Sequence, residues 1–410
     1  MAGIARHKSV LVLTALLAFM QAIIGQFAVQ GTPLFLREAG YGSDVISLIF
    51  IAGIPYTFPF LWAPLIDRHG SRVLGSYGGW IVVCQVLSCT LLGILAFITP
   101  ATSVLALIAT LTLLMGVIGT QKTAAGGFVV ENLSPDTFPI AAGLQAGAAA
   151  VGGFILGAGV LYFLGDVGWT PVVFSLLVIC SSLVLPSAAL CRSLSTQSTR
   201  QKQPPFWSHM SVFKRPESRL LLVVAVTVNG ALILPYGLKS VLLIDAGFSV
   251  SQSSLIALVL ANISGFVGAL LAASLTKRFG GMTIKAVCGG ITGTVMIATT
   301  LFFPEPMPAA WLVVLICFAS AMVFAGFTTS RALLMPRCRS DLRSTELASY
   351  TSIEAVCVLL VAGLTMYLLD KIGFFPLAFA GGMISLAGAV FAYNVRSHFQ
   401  EKVVLEGQQT

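Results

Sequence analysis

The chain has 410 residues, 57% hydrophobic and only 9% charged, with a net charge of +8; its mean hydropathy is +0.95. Soluble domains carry about a quarter of their residues as charges, so a soluble enzyme, a disordered chain and a nucleic-acid-binding domain are excluded. The basic excess lies in short connectors rather than on one patch. The composition is that of a polytopic α-helical membrane protein.

A span needs about 20 apolar residues plus a short loop, which predicts about twelve. Hydrophobic runs between charged and Pro/Gly punctuation place the first six at Ser9–Leu36, Val45–Leu65, Gly75–Ile98, Val104–Val130, Phe138–Leu164 and Thr170–Leu190. The remaining six fall at Leu220–Leu243, Val250–Leu275, Met282–Phe303, Ala309–Leu334, Glu346–Leu369 and Phe375–Val395. The start, Met1 to Lys8, is basic, and the apolar run behind it exceeds a signal-peptide core. It reads as a retained first helix.

The longest connector, Cys191 to Arg219, is polar and basic and separates spans 1–190 from spans 220–410. Within it, Phe206–Phe213 reads as an amphipathic interfacial helix or as plain solvated linker. Eighteen Lys and Arg, Lys285 among them, fall on one side of these spans; Arg37 and Lys371 fall on the other, with Lys239 near it. The positive-inside rule then places both termini in the cytoplasm. All four histidines lie in the same cytoplasmic segments, so no histidine proton relay is expected. The eight cysteines lack C-x-x-C spacing, so neither disulfides nor a metal cluster is expected.

The two halves repeat weakly. Glu38-Ala39-Gly40-Tyr41-Gly42-Ser43 precedes the second span, and Asp245-Ala246-Gly247-Phe248-Ser249 precedes the eighth, an offset of 207. After those spans come Asp67-Arg68-His69-Gly70 and Lys277-Arg278-Phe279-Gly280, an offset of 210. Six spans repeated in one orientation form a parallel duplication, with the substrate site at the repeat interface.

The turn after the second span reads Ala63-Pro64-Leu65-Ile66-Asp67-Arg68-His69-Gly70-Ser71-Arg72. It resembles the loop signature of the major-facilitator transporters, an all-α fold of twelve helices in two pseudo-symmetric six-helix bundles. The resemblance implies a conformational latch at Asp67, Arg68, Gly70 and Arg72. A carboxylate there can pair with basic groups or helix N-termini, and Gly70 permits a tight turn. The bland alternative is an ordinary charged turn. The longer stretch Ile54-Pro55-Tyr56-Thr57-Phe58-Pro59-Phe60-Leu61-Trp62-Ala63-Pro64-Leu65-Ile66-Asp67-Arg68, with Gly79-Trp80, is similar to the muropeptide and acetyl-CoA permease branch. The smaller rhizobactin and pyochelin siderophore permeases share it. Muropeptide permeases are longer and carry two additional spans, so the compact chain is expected on the siderophore side. One departure stands out: in Gly119-Thr120-Gln121-Lys122, a lysine replaces the acid that relatives usually carry.

Ionisable residues inside spans are costly and mark function. Lys122 plus 209 is Arg331, and Gln145 plus 209 is Glu354, so the repeat matches a cation with a cation and a Gln with a Glu. Two cations facing one cavity would hold a carboxylate, phenolate or phosphate. Glu354 would bind the coupling proton or pair with Arg331 when the site is empty. The alternatives are snorkelling of Lys122 and Arg331 to headgroups and a purely structural Arg331–Glu354 bridge. Gln26, Gln30, Gln145, Asn229, Tyr236 and Tyr350 extend the substrate site, with Tyr56 in the second span; the alternative for Gln and Asn is bonding across helices. The glycines of the fifth span, Gly143, Gly147, Gly152, Gly153, Gly157 and Gly159, read as close helix packing. The Gly-Pro pair of drug antiporters is absent from it.

No Walker A loop, nucleophile elbow or Rossmann fingerprint is visible, so neither an enzyme nor a cofactor is expected. The sequence therefore predicts an inner-membrane permease, a monomer in the lipid bilayer, importing a siderophore-like anion by proton-driven alternating access. Muropeptide or other amphipathic-anion uptake is the first alternative, and export of similar molecules the next. A ligand sensor without flux is disfavoured, because only the linker and the tail Arg396–Thr410 are available for an output module.

Overall fold

The computed structural model describes residues 2–194 and 214–406, except 42, 72, 101, 102, 162–166, 238, 240, 241, 244, 245, 249–251, 254, 305, 306 and 340. The proposed interfacial helix at 206–213 lies outside them. The described residues are helical almost throughout, with a single isolated bridge between Ser71 and Gly75.

The helices are α1 (Ala2–Gln26), α2 (Thr32–Glu38), α3 (Ser43–Ala52), α4 (Ile54–Thr57), α5 (Ala63–Arg68), α6 (Gly75–Phe97), α7 (Val104–Asn132) and α8 (Phe138–Phe154). There follow α9 (Trp169–Leu194), α10 (Pro216–Gly237), α11 (Ala261–Phe279), α12 (Gly281–Phe302), α13 (Ala309–Leu334), α14 (Arg343–Ile372) and α15 (Phe374–Glu406). Wider i→i+5 turns continue α1 over Phe27–Gly31 and α8 over Ile155–Leu161, and precede α11 over Leu255–Leu260.

Nine helices among the described residues are long and apolar enough to cross a membrane. The other three predicted spans are also helical, as the α3–α5 series, α10 and α14. The tenth span is bounded as its hydrophobic run predicts, at Ala309 and Leu334. The second is not one rod. Pro55, Pro59 and Pro64 each sit in the first turn of a short segment, where a missing N–H costs least, and they divide it into α3, α4 and α5 with a 3₁₀ turn between the last two.

Bundle helices in lipid must satisfy every polar group internally. Hydroxyls here largely bond back to their own helix: Thr14 to Val10, Thr110 to Ala106, Thr328 to Phe324 and Ser320 to Ile316, each at 2.8–2.9 Å. Large apolar side chains point outward, with Phe97 84% and Leu185 80% exposed. That surface suits hydrocarbon and would be costly in water.

The chain divides into two compact units. They follow the two sequence halves, except that residues 338–352 belong to the first unit and residues 135–147 to the second. In the first unit, Phe27, Leu92, Leu111, Leu114, Ile118 and Leu176 form a continuous core. The Trp169 indole donates to the Leu95 carbonyl at 2.9 Å and packs edge-on against Phe35. The second unit is centred on Leu243, Met296, Leu315, Ile316 and Ala378. There α11 and α13 approach so closely that a Cβ on Gly268 would overlap the Ala321 carbonyl.

The predicted repeat is visible in the backbone. Gly40 and Gly247 are left-handed, at φ 84° and 86°. Each closes its helix with the same bond pair: Ala39 N to Phe35 O and Tyr41 N to Leu36 O, against Ala246 N to Leu242 O and Phe248 N to Leu243 O. This is the glycine C-cap geometry, reproduced at an offset of 207.

Candidate functional site

The loop after α5 is tightly built. Ser71 N donates to Gly75 O at 2.9 Å, and Ser71 Oγ accepts from Val73 N and Leu74 N at 3.2 Å each. The Trp80 indole donates to the His69 carbonyl. Gly70 approaches the Ser76 backbone, where a Cβ would stand 3.0 Å from Ser76 Cα. The left-handed residue of the turn is Gly75, at φ 77°, not Gly70. Arg72 lies outside the described residues.

The last turn of α5, leading into this loop, presents Asp67 to the first turn of α14. Its Oδ1 accepts from Ser344 N at 3.2 Å, Ser344 Oγ at 2.8 Å and the Tyr77 hydroxyl at 2.7 Å. Its Oδ2 accepts from Thr345 N at 2.9 Å and from Thr345 Oγ1. The first N–H groups of a helix lack internal acceptors and carry positive potential, so the carboxylate satisfies them twice over. A second acid lies beside it: Glu131, at the end of α7, accepts from Ser76 Oγ at 3.0 Å and pairs with Arg343 at 3.3 Å. The space for this is set by Gly127, whose Cβ would fall 2.6–2.8 Å from Tyr77 and Ser344 side-chain atoms. Sequence reasoning missed Glu131, Tyr77, Arg343, Ser344 and Thr345. The run Arg343-Ser344-Thr345-Glu346 is the available signal, since hydroxyl and acidic residues favour helix starts.

In the same unit, the Lys122 ammonium stands over the Tyr56 ring, 4.4 Å from its centroid. The face of an aromatic ring attracts a cation, so Lys122 is held by the protein and does not depend on headgroups for a partner. The backbone permits it: a Cβ on Gly119 would lie 3.1 Å from Tyr56 Cα. Two residues before Lys122, Thr120 Oγ1 accepts from the Trp62 indole at 2.9 Å. Gln26 is half-buried in α1. The side chains of Gln30 and Asn229 lie outside the described residues.

The second unit holds the other charges. Arg331 donates to Gln145 Oε1 at 2.8 Å, whereas the sequence pointed to Glu354 as its partner. Glu354 is 5% exposed, and its Oε1 accepts from Ser330 Oγ at 3.1 Å. Ser330 in turn lies 2.6 Å from the Lys285 ammonium, which also donates to the Gly326 carbonyl at 3.1 Å. Lys285, counted above with the connector cations, is thus an interior residue at 1% exposure. Its place in the second turn of α12, beside a span end, disguised it. Tyr236 packs edge-on against Phe324 and takes the Lys239 ammonium over its ring at 4.4 Å. Lys239 is 8% exposed, so it too is interior. Tyr350, in the first unit, is fully buried. The fifth-span glycines pack as predicted: Gly143 meets Ala269 and Ala273, and Gly147 meets Phe266, in one unit; Gly152 meets Phe19, Ala22 and Ile23 in the other.

Apolar spans with buried, mutually bonded charges define a multi-pass membrane transporter. The family model described as Major Facilitator Superfamily matches residues 57–362, and the chain belongs to that family. It is 24% identical over 326 residues to the anhydromuropeptide permease of Escherichia coli K12, covering 76% of this chain and 64% of that protein. It is 23% identical over 379 residues to the Rickettsia conorii protein named transporter AmpG 4, covering 85% and 90%. The chain spans less than two thirds of the length of the first curated relatives it matches. The crystal structure of the E. coli fucose:proton symporter superposes with a TM-score of 0.73 at 15% identity, over 93% of this chain and 97% of that one. The fold is that of major-facilitator transporters.

Proposed function

We propose that the chain is an inner-membrane permease importing muropeptide-type solutes, with both termini cytoplasmic and the proton gradient as its driving force. The observation that carries this is the similarity to an anhydromuropeptide permease and to a second protein bearing the name of that group. It favours muropeptides over the siderophores that chain length suggested. The chemistry is compatible. A muropeptide has peptide carboxylates, which suit Lys122 and Arg331, and sugar faces, which suit the Tyr56 and Trp62 rings.

In this reading the two six-helix halves rock about a central site. Asp67 on the α14 N-terminus is the latch that holds the cytoplasmic side, with Glu131–Arg343 beside it. Glu354 carries the coupling proton.

The test is uptake of a radiolabelled anhydromuropeptide by cells lacking their own permease and expressing this chain, with and without a protonophore. Accumulation abolished by the protonophore supports the reading. A parallel arm offers a ferric phenolate siderophore, and accumulation in that arm alone overturns the substrate assignment. Glu354→Gln should abolish accumulation and preserve exchange; normal accumulation removes Glu354 from coupling.

A further inference from the structure

Within the second unit, α12, α13 and the part of α14 from Ile353 onward meet at one hydroxyl. Lys285 reaches from α12, Ser330 from α13 and Glu354 from α14. Ser330 Oγ lies 2.6 Å from Lys285 Nζ and donates to Glu354 Oε1 at 3.1 Å. Lys285 and Glu354 are 1% and 5% exposed. An ammonium has donors only, an ionised carboxylate acceptors only, and a hydroxyl one of each kind. The donor sequence Nζ, Oγ, Oε1 therefore runs one way, and it fits a charged lysine at one end and a charged glutamate at the other. A buried charge without a compensating partner is strongly destabilising, and here each charge stands one hydroxyl away from its opposite.

We propose that Lys285 is the counter-ion of Glu354 and that the Ser330 hydroxyl is the movable link between them. The proposal rests on the reading of Glu354 as the proton-carrying group and adds the residue that balances its charge. It also gives the proton a structural consequence. A Glu354 protonated on the oxygen facing Ser330 becomes a donor toward it, and the hydroxyl hydrogen then turns elsewhere. A serine in a helix has a second acceptor at hand, the carbonyl four residues back. For Ser330 that carbonyl belongs to Gly326, which already accepts from Lys285 at 3.1 Å and from Thr329 Oγ1 at 3.0 Å, so Ser330 would share it with them. Proton uptake at Glu354 thus reverses the bond between α13 and α14, from Ser330 donating to Glu354 donating, and removes the negative charge that balances Lys285. Lys285 acts here as a positioning residue.

The experiment is a double-mutant cycle on the purified full chain in detergent, read as thermal unfolding midpoint, with Lys285→Met, Glu354→Gln and the pair combined. If the two are counter-ions, each single change lowers the midpoint by several degrees, and the double variant stands no lower than the weaker single. Midpoints in the double variant that fall by the sum of the singles overturn the proposal, because Lys285 would then be only a helix-packing donor to Gly326. Should Lys285→Met yield no folded protein, the readout becomes its yield with and without Glu354→Gln. Recovery by the second change supports the pair, and no recovery overturns it. The cycle needs no substrate, so it can succeed even if anhydromuropeptide uptake fails, and fail while uptake succeeds.

Discussion

Asp67 accepts the backbone N–H of Thr345, 278 positions away in the chain, at 2.9 Å. The bond joins the loop after the second span to the first turn of the eleventh. Hydrogen bonds to a charged group contribute about 1.5–3 kcal/mol each and do not add simply. Asp67→Ala should therefore cost at least about 2 kcal/mol of stability in the latched form. A single cysteine placed near residue 344 would report it, as faster labelling by a membrane-impermeant thiol reagent from the cytoplasmic side. Unchanged labelling would remove the latch.

The Lys122–Tyr56 contact separates a cation held by aromatic attraction from one that merely ends near a ring. Such contacts contribute about 0.5–2 kcal/mol, the larger value when desolvated. Tyr56→Phe keeps the ring face and should preserve anhydromuropeptide binding. Tyr56→Ala should weaken it by up to about tenfold, since 1.4 kcal/mol is a factor of ten, and Lys122→Ala by at least as much. Calorimetric titration of the purified chain measures all three. Equal affinity throughout would take Lys122 out of the binding site.

Arg331 and Gln145 offer a charge-based test. Gln145→Glu converts their hydrogen bond into an ion pair and should raise thermal stability while slowing uptake, because the arginine becomes harder to release to a substrate carboxylate. Arg331→Lys should behave as a loss, because a lysine lacks the planar fork of donors. Transport by the lysine variant at the parent rate would show that Arg331 supplies charge alone.

Two glycines predict opposite outcomes. Gly268 faces the Ala321 backbone with no room for a Cβ, and Gly290, within α12, has nothing within 4 Å of one. Gly290→Ala should be neutral or stabilising by up to about 1 kcal/mol. Gly268→Leu should abolish folded protein, because overpacking against backbone cannot relax by a rotamer change. Size-exclusion profiles of the detergent-solubilised variants distinguish the two.

How much of this the sequence disclosed depends on the kind of residue. The spans and the tenth span's limits follow from hydrophobic length, which the bilayer imposes directly. The repeat that contains Gly40 and Gly247 was legible as matching residues, but their left-handed caps were not, since matched positions do not give a backbone angle. Asp67 was legible as a carboxylate suited to a helix N-terminus, but not which helix, since no periodicity links residues 278 apart. The repeat offset set Gln145 against Glu354 and Lys122 against Arg331. It could not show that Arg331 meets Gln145 while Glu354 meets Ser330, because register along a helix does not fix the neighbour it faces. Lys285 was hidden for a related reason. A lysine four residues into a helix reads as a span-end cation until its neighbours are known.

The five donors on Asp67 are of two chemical kinds, three side-chain hydroxyls and two main-chain amides. No substitution other than proline removes an amide, and the hydroxyls at 77, 344 and 345 duplicate one another. The accepting side has one carboxylate and no understudy. Tolerance of donor loss across this contact is therefore lopsided: Tyr77→Phe, Ser344→Ala and Thr345→Val should each be mild beside Asp67→Ala, so the fragility of the whole junction is concentrated in one side chain.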